Sequence, residues 1–356
     1  MRWFCCGRQL RSKREDQYKV TGKETEDALP TLNEPQFSWQ SRRDLDMERF
    51  RMHDLDGAIE VRREVGGQPI AVENCKESVL IVLDHTATVT VDDCRDCLIV
   101  LGPCAGRREF LFALIITLFN IVFVRDCERC TVLVACQQLR TRDCRSLRLG
   151  LHCTTQPIIE GTKEAIFYPL ALYYNTIKED IRAAHLSVFN NNTATVHDFT
   201  PDKTVPNFKI INEVLVLAEH HNLALSSQGI STDVASSAIP VRRSGKGERF
   251  FVYAGQSEES DEVFLDRCME FVRLISMNSD FCLISTQDID LFKQGCSLPI
   301  STNSFVRLVV IELCGQPSEL PSVLSAGGEL SFLCVPQHDT TDFATALSHI
   351  SQLSLS

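Results

Sequence analysis

The sequence predicts two folded parts, a parallel β-solenoid followed by a small α/β domain of the ferredoxin-like type. A short phrase ending in cysteine returns along the chain, at Val72–Cys75, Val91–Cys94, Val124–Cys127 and Thr141–Cys144. Apolar runs rich in Val, Ile and Leu follow the repeated cysteines, and this composition favours strands over helices. The last hundred residues instead alternate strand-like and helix-like patterns, which is typical of an α/β domain.

Length, composition and charge narrow the class of protein. The 356 residues exceed one ordinary core, and the apolar content of 44% with 23% charged residues is that of a soluble globular chain. A formal net charge of −11 argues against a nucleic-acid partner, because phosphate contacts need a basic face. Sixteen cysteines without a secretory signal at the start indicate a reducing compartment, so we expect a cytoplasmic protein.

The first 35 residues are polar and charged with little periodicity, so residues 1–35 are predicted to form a flexible tail. Cys5 and Cys6 are followed by a basic cluster at Arg8–Arg14. Acylated thiols beside basic side chains can hold a protein on an anionic membrane. The alternative is a disordered start with two free thiols. Arg2 stands where myristoylation requires glycine, so this sequence cannot carry that lipid.

The predicted solenoid occupies residues 36–205. Coils of a solenoid stack in parallel, so equivalent positions form ladders, and small buried thiols suit such a ladder. Cys75 and Cys94 are 19 residues apart and Cys127 and Cys144 are 17 apart, but 33 residues separate Cys94 from Cys127. The surplus is an apolar insert at residues 108–121. This insert is shorter than a transmembrane helix, which needs about 20 apolar residues. Two interpretations remain: a hydrophobic loop between coils, or a translated intron.

Two further segments follow the solenoid. Residues 206–247 contain several Ser- and Gly-rich stretches and are predicted to be a linker. Residues 248–356 are predicted to form the α/β domain. Its expected strands are 249–255, 280–285, 307–313 and 330–335, and amphipathic helices are expected at 258–277 and 343–353.

Two motifs that resemble chemical sites have simpler structural explanations. The Cys94–Cys97 and Cys127–Cys130 pairs have the spacing of zinc ligands. The aligned repeats carry Ser78 and Leu147 instead of the second cysteine, so we interpret the pairs as stacked core thiols and predict no metal site. His85 follows Asp84 and could act as a general base, but a polar turn between strands is the interpretation we favour.

The most informative polar surface is predicted on the segment that contains Gln138, Arg140 and Arg142. Strand alternation directs these three side chains to the same side. On composition alone, such a row is a solvated strand face. The sequence has no P-loop, no Gly-x-Ser-x-Gly and no Gly-x-Gly-x-x-Gly, so no motif supports a hydrolase or nucleotide-binding site within this chain.

Residues from about 36 to 202 resemble the tubulin-cofactor-C domain family. The resemblance rests on Gln36–Trp39, Leu83–Cys94, Leu101–Pro103, Ala135–Arg140, Thr155–Glu160, and the string from Phe189 to Pro201. The family fold is a right-handed parallel β-helix, which agrees with the solenoid inferred from the repeat. The last hundred residues resemble the nucleoside-diphosphate-kinase-like domain of family members. His338 and His349 are the histidines there, and neither is in an Asn-x-x-His-Gly context, so we expect no kinase activity.

The resemblance implies a function. Family members of this type activate GTP hydrolysis by Arf-like GTPases, chiefly type 3, and so promote release of lipidated cargo at the cilium. It makes Arg140 the catalytic arginine finger and Gln138 its supporting amide, and it assigns Glu160, Phe199 and Arg142 to partner binding. GTP and Mg²⁺ would belong to the GTPase, and this chain would need no cofactor and have no intrinsic catalytic activity.

The implied location is the cytoplasmic side of the plasma membrane or the ciliary base. The alternative function is a non-catalytic GTPase-binding adaptor or a tubulin-folding cofactor.

Overall fold

The computed structural model describes residues 48–105, 120–278, 280–291, 298, 305–321, 332–335 and 340–355. All of them belong to one unit, Asp44–Ser356. The predicted tail with Cys5 and Cys6 lies outside the described residues, as do residues 108–119 of the predicted insert. No helix among the described residues is long and apolar enough to cross a membrane.

Fourteen of the described strands wind into a parallel β-helix, which confirms the predicted solenoid. One parallel sheet contains, in spatial order, β1 (Arg51–His53), β3 (Ile70–Glu73), β5 (Val89–Asp92), β7 (Ile121–Arg125), β9 (Gln138–Arg142), β11 (Ile158–Glu160) and β13 (His197–Asp198). The other contains β2 (Ile59–Arg63), β4 (Val79–Leu83), β6 (Leu98–Cys104), β8 (Thr131–Cys136), β10 (Arg148–Cys153), β12 (Ala165–Pro169) and β14 (Phe208–Ile210), again in spatial order.

The repeated phrase forms the same corner in four of the coils. The residue before each repeated cysteine has a positive φ of about 50°, at Asn74, Asp93, Asp126 and Asp143. Asn and Asp adopt this left-handed conformation more readily than most residues, because their short side chains can bond to the local backbone. The four cysteines that follow are each no more than 2% exposed. The repeat therefore encodes a turn residue followed by a small side chain for the core.

The stacked thiols bond to the backbone of the coils. Cys94 Sγ donates to the carbonyl oxygen of Asp92 at 3.4 Å, and Cys130 Sγ donates to that of Cys94 at 3.3 Å. Every described cysteine is free. These weak hydrogen bonds give the buried thiols polar partners, so a ladder of thiols can fill the coil interior.

The strand ladder stays in register on both sides of the corner at which the surplus residues occur in the sequence. Cys104 pairs with Cys136 before them and Ile121 pairs with Gln138 after them, and these two partners are separated only by Gln137. Ile121, which the repeat spacing assigned to the insert, is buried and begins β7. Strand pairing on both sides of the corner therefore keeps the ladder in register despite the extra length.

The central strands of the second sheet are buried on both faces. Every residue of β4, β6 and β8 is buried. Leu80 and Ile99 belong to the interior cluster of the helix, whereas Ile81, Val100 and Leu133 belong to a second cluster on the outside of this sheet. Strands covered on both faces need continuous rather than alternating apolar sequence, which explains the runs in these strands.

Residues 206–247, predicted as a linker, are folded. They contain β14, the helix α2 (Glu219–Ser227) and a short 3₁₀ turn at Val234–Ser236, and α1 (Ile177–Ala183) precedes them. Leu215, Leu225 and Ile239 are buried in the outer cluster. The backbones of Tyr173 and Ser231 also exchange two hydrogen bonds of 2.9 Å. The segment covers the second sheet, although its Ser and Gly content is that of a spacer.

The C-terminal part is an antiparallel sheet with helices, as the α/β pattern predicted. Its elements are β15 (Glu248–Gln256), α3 (Asp261–Met277), β16 (Cys282–Asp290), β17 (Arg307–Gly315), β18 (Leu333–Cys334) and α4 (Thr340–Leu355). The spatial order β16-β17-β15-β18 is that of a ferredoxin-like sheet. The kinase-like resemblance stays a prediction; His349 lies on α4, and His338 lies outside the described residues.

A loop of the solenoid part covers the edge of this sheet. Asn190 Oδ1 accepts from the backbone N of Asp288 on β16 at 2.9 Å, and the hydroxyl of Thr286 donates to the carbonyl oxygen of Phe189 at 2.8 Å. Asp288 also accepts two hydrogen bonds from Arg307, at 2.6 and 2.5 Å. Loop 187–190 thus bonds to backbone and side chains of the edge strand β16.

Buried His152 predicts a loss of stability in acid. Its side chain is fully buried on β10, Nε2 donates to the carbonyl oxygen of Ser187 at 3.1 Å, and burial lowers its pKa from 6.5 to about 4. The folded state thus binds this proton less readily than the unfolded state. The contribution of neutral His152 to the free energy of unfolding is complete above pH 6.5. It is lost as the pH falls towards 4, and the loss amounts to roughly 3 kcal/mol in all.

Urea unfolding of the wild type and His152→Gln between pH 7.5 and about 4 measures this effect. We expect a flatter pH dependence in the variant. Equal slopes for the two proteins would contradict the assignment to His152.

Candidate functional site

The row of polar residues predicted on one strand lies on the outer face of β9. Gln138 is half-buried and Arg140 and Arg142 are exposed, whereas the intervening Leu139 and Thr141 face the interior and are at most 1% exposed. The hydroxyls of Thr141 and Thr162 share a 2.8 Å hydrogen bond inside the coil. The inward residues therefore anchor β9 while its outward side chains remain available.

Arg140 stands between apolar residues of the two neighbouring strands. Its cross-strand partners are Phe123 on β7 and Ile158 on β11. Within the described part of the chain, no side chain forms a hydrogen bond or an ion pair with its guanidinium. Apolar neighbours can support the aliphatic stem of an arginine while its charged head stays in water. The surface thus presents an unneutralised guanidinium on a rigid sheet.

Arg142, two positions along, lies in a row of charged residues that crosses the strands. It pairs across the strands with Arg125 on β7 and Glu160 on β11. Its Nε donates to Asp143 at 3.3 Å, and Arg125 donates to Asp92 at 2.6 Å. These guanidiniums are partly neutralised by carboxylates, which distinguishes them from Arg140 and suits them to contact with a partner surface.

Phe199 is a large exposed apolar side chain held in a fixed turn. Its ring is 60% exposed and packs edge-to-face on His197, with the ring centres 4.6 Å apart. Its backbone N donates to the carbonyl oxygen of Ile159 at 2.9 Å, and the next residue, Thr200, donates its backbone N to Asp198 at 2.9 Å. An exposed aromatic ring on a rigid turn is well suited to anchor a protein partner.

These side chains surround one shallow depression of about 400 Å³. It is lined by Thr90, Phe123, Arg125, Arg140, Thr141, Arg142, Ile158, Glu160 and Phe199. The structure thus brings together four of the five residues assigned from the family resemblance, and Gln138 lies beside them on β9. The lining has three arginines and one glutamate, so it is locally positive on a chain of net charge −11.

With three arginines and one glutamate in its described lining, the depression suits an anionic group of a partner. Sequence reasoning missed Phe123 and Arg125. The repeat carried the signal: both lie 17 residues before predicted site residues, the same distance that separates Cys127 from Cys144.

Comparison with known proteins agrees with the resemblance. Residues 67–199 match the protein-family model of tubulin binding cofactor C. Protein XRP2 of Gallus gallus is 36% identical over 228 residues, which cover 62% of this chain and 60% of the relative. Protein XRP2 of Homo sapiens is 33% identical over 238 residues, covering 65% of this chain and 63% of the relative. The matches therefore span about three fifths of the length of these relatives.

Another relative matches over a shorter stretch of this chain. Tubulin-specific chaperone C of Homo sapiens is 35% identical over 95 residues, covering 26% of this chain and 28% of the relative. The solved structure of Tubulin Binding Cofactor C from Leishmania major is 24% identical, covers 44% of this chain and 90% of that chain, and has a TM-score of 0.31. The predicted resemblance is thus confirmed at the level of sequence.

Proposed function

We propose that this chain activates GTP hydrolysis by an Arf-like small GTPase of type 3, because it is similar to Protein XRP2 and its residues 67–199 match the family model of tubulin binding cofactor C. Arg140 would be the arginine finger supplied in trans. The observation that supports this role best is the exposed guanidinium of Arg140, which has no partner among the described residues and lies in a positive depression beside Phe199.

The chemistry of phosphoryl transfer explains why a free arginine matters. GTP and Mg²⁺ are bound by the partner GTPase, and negative charge spreads over the γ-phosphoryl oxygens in the transition state. A guanidinium matches these oxygens with its rigid fork of donors, and such a finger accelerates hydrolysis by about 10³–10⁵-fold. Gln138, which shares the outer face of β9, is proposed to support Arg140 and the glutamine with which the GTPase orients water.

Three further side chains are proposed to bind the GTPase. Phe199 would be the apolar anchor, and Glu160 and Arg142 would form charged contacts beside it. All three line the same depression as Arg140. Complementary charges of this kind increase association rate and specificity more than affinity.

Single-turnover GTP hydrolysis by an Arf-like type 3 GTPase, at rising concentrations of this chain, tests the proposal. Saturable acceleration supports an activator. Binding without acceleration supports the second candidate, a GTPase-binding adaptor or tubulin-folding cofactor, which the match to Tubulin-specific chaperone C favours. A version lacking residues 108–119 is assayed alongside, because this segment precedes the strand that carries Arg140.

We also propose that the N-terminal tail brings the activator to the plasma membrane or the ciliary base, where lipidated cargo is released. Acylation of Cys5 and Cys6, together with the basic residues that follow them, would supply the two signals that stable anchoring requires. In cells, we expect the double variant Cys5→Ser/Cys6→Ser to move from the membrane pellet to the supernatant. An unchanged distribution would contradict lipidation at these thiols.

A further inference from the structure

A second cluster of polar side chains lies where the solenoid meets α1. Asp84 and His85 follow β4 at a corner of the coil, and Asp180 comes from α1, almost a hundred residues later. Ligand atoms of the three residues all lie within 4.8 Å of one another, and no other such group of three occurs among the described residues. The cluster shares no residue with the depression around Arg140.

Hydrogen bonds hold both carboxylates in place. Asp84 accepts from the backbone N of Gly66 at 2.7 Å and from His85 Nδ1 at 2.8 Å. Asp180 accepts from the hydroxyl of Tyr174 at 2.8 Å, and Thr176 adds a second bond at 3.1 Å. A carboxylate fixed by its neighbours is the usual state of a metal ligand, because outer partners orient the ligand before the ion binds.

The backbone is also shaped to bring these groups together. Gly102 on β6 lies against this corner, and a Cβ built there would come within 2.2 Å of the carbonyl oxygen of Asp84 and within 2.9 Å of the Tyr174 hydroxyl. Only glycine permits this approach without displacement of the chain. The close packing therefore links the corner after β4 to the segment that leads into α1.

The charges of the cluster are unbalanced. Asp180 is 8% exposed, and Asp84 and His85 have side chains that are only 14% and 25% exposed. Two carboxylates held this close repel each other in a partly desolvated position, and the side-chain hydrogen bonds described above come from two neutral hydroxyls and one imidazole. A divalent cation would neutralise them and use the imidazole as a third ligand.

We infer that Asp84, His85 and Asp180 bind a divalent transition-metal ion, with Zn²⁺ the best fit, and that the ion ties α1 to the solenoid corner. Imidazole with carboxylates suits zinc rather than magnesium, which prefers oxygen ligands and retains its waters. Three protein ligands leave a fourth position for water. This inference does not depend on the proposed GTPase partner.

The test uses the full chain, stripped with a chelator and kept reduced, and measures binding of Zn²⁺ by calorimetry and metal analysis in excess Mg²⁺. Cobalt then replaces zinc, because a thiolate ligand gives an intense charge-transfer absorption that imidazole and carboxylates do not. This separates the proposed site from cysteines such as the exposed Cys334.

The variants are His85→Gln and Asp180→Asn, with His53→Gln as the matched control. In His53, as in His85, Nδ1 forms a hydrogen bond to an aspartate carboxylate beside it in the sequence, here that of Asp54 at 2.8 Å. The other ring nitrogen of His53 contacts Glu48, and His53 does not belong to the proposed site. We expect one ion per chain in the wild type and the control, without a charge-transfer band and with a raised Tm. Each site variant removes a direct ligand, so we expect it to weaken zinc binding by at least the roughly tenfold to hundredfold that loss of an outer-shell partner costs.

Absence of a cysteine-independent zinc site in the wild type, or equal affinity in His85→Gln, would overturn the inference. His85 is the most exposed of the three ligands, so its variant remains informative even if Asp180→Asn does not fold.

Discussion

Arg140→Ala is expected to lower the single-turnover rate of GTP hydrolysis by the Arf-like GTPase bound to this chain by about 10³–10⁵-fold. The complex of the two proteins should still form. The loss corresponds to roughly 4–7 kcal/mol of transition-state stabilisation. The fold should tolerate the change, because Arg140 is exposed and bonds to no side chain among the described residues. Hydrolysis and binding are measured separately, by quenched single turnovers and by titration of a labelled GTPase.

Two variants show whether the effect belongs to the guanidinium itself. Arg140→Lys keeps the charge but loses the rigid fork of donors, so little acceleration should return. Arg142→Ala removes an arginine from the same face that already bonds to Asp143, and should mainly weaken binding. If Arg140→Ala accelerated GTP hydrolysis as strongly as the wild type, Arg140 would not be the arginine finger, and the GTPase-binding adaptor would be the better interpretation.

Phe167→Ala is expected to destabilise the protein by about 3–5 kcal/mol. Phe167 is fully buried on β12 and packs edge-to-face on Phe208 of β14, with the ring centres 6.0 Å apart. β14 is the edge strand of the second sheet and β12 is its neighbour, so the cavity would form at the end of the β-helix. The free energy of unfolding in urea measures the loss.

Phe199→Ala is the matched control, because the same side chain is removed from an exposed position. We expect its stability to change by less than about 0.5 kcal/mol and its affinity for the GTPase to fall about tenfold or more. If Phe199→Ala unfolded the protein or Phe167→Ala left its stability unchanged, the division between core and anchor residues would be wrong.

The solenoid was predictable because four of its coils repeat the same short sequence pattern. Asn or Asp before cysteine encodes the left-handed corner, and the apolar runs encode strands covered on both faces. The alternation of buried and exposed side chains on β9 was equally predictable, because the two-residue period of a strand does not depend on distant contacts. The role proposed for Arg140, by contrast, rests on the family resemblance and not on its position alone.

What could not be predicted depends on contacts between distant residues. Ser and Gly in residues 206–247 indicated a spacer, but Leu215 and Leu225 bury against a sheet whose outer face is apolar. His85 was interpreted as part of a polar turn because Asp180 lies far away in the sequence. Only the packing of α1 brings them together.

The loop that covers β16 would be lost from a fragment that contains only the C-terminal sheet. β16 forms one edge of the C-terminal sheet, and loop 187–190 occupies part of its hydrogen-bonding capacity. An uncovered edge strand is a template for pairing with another chain. A fragment beginning at the sheet would therefore aggregate more readily than the intact protein, and mutations in Phe189 or Asn190 would impair solubility although they lie outside the sheet.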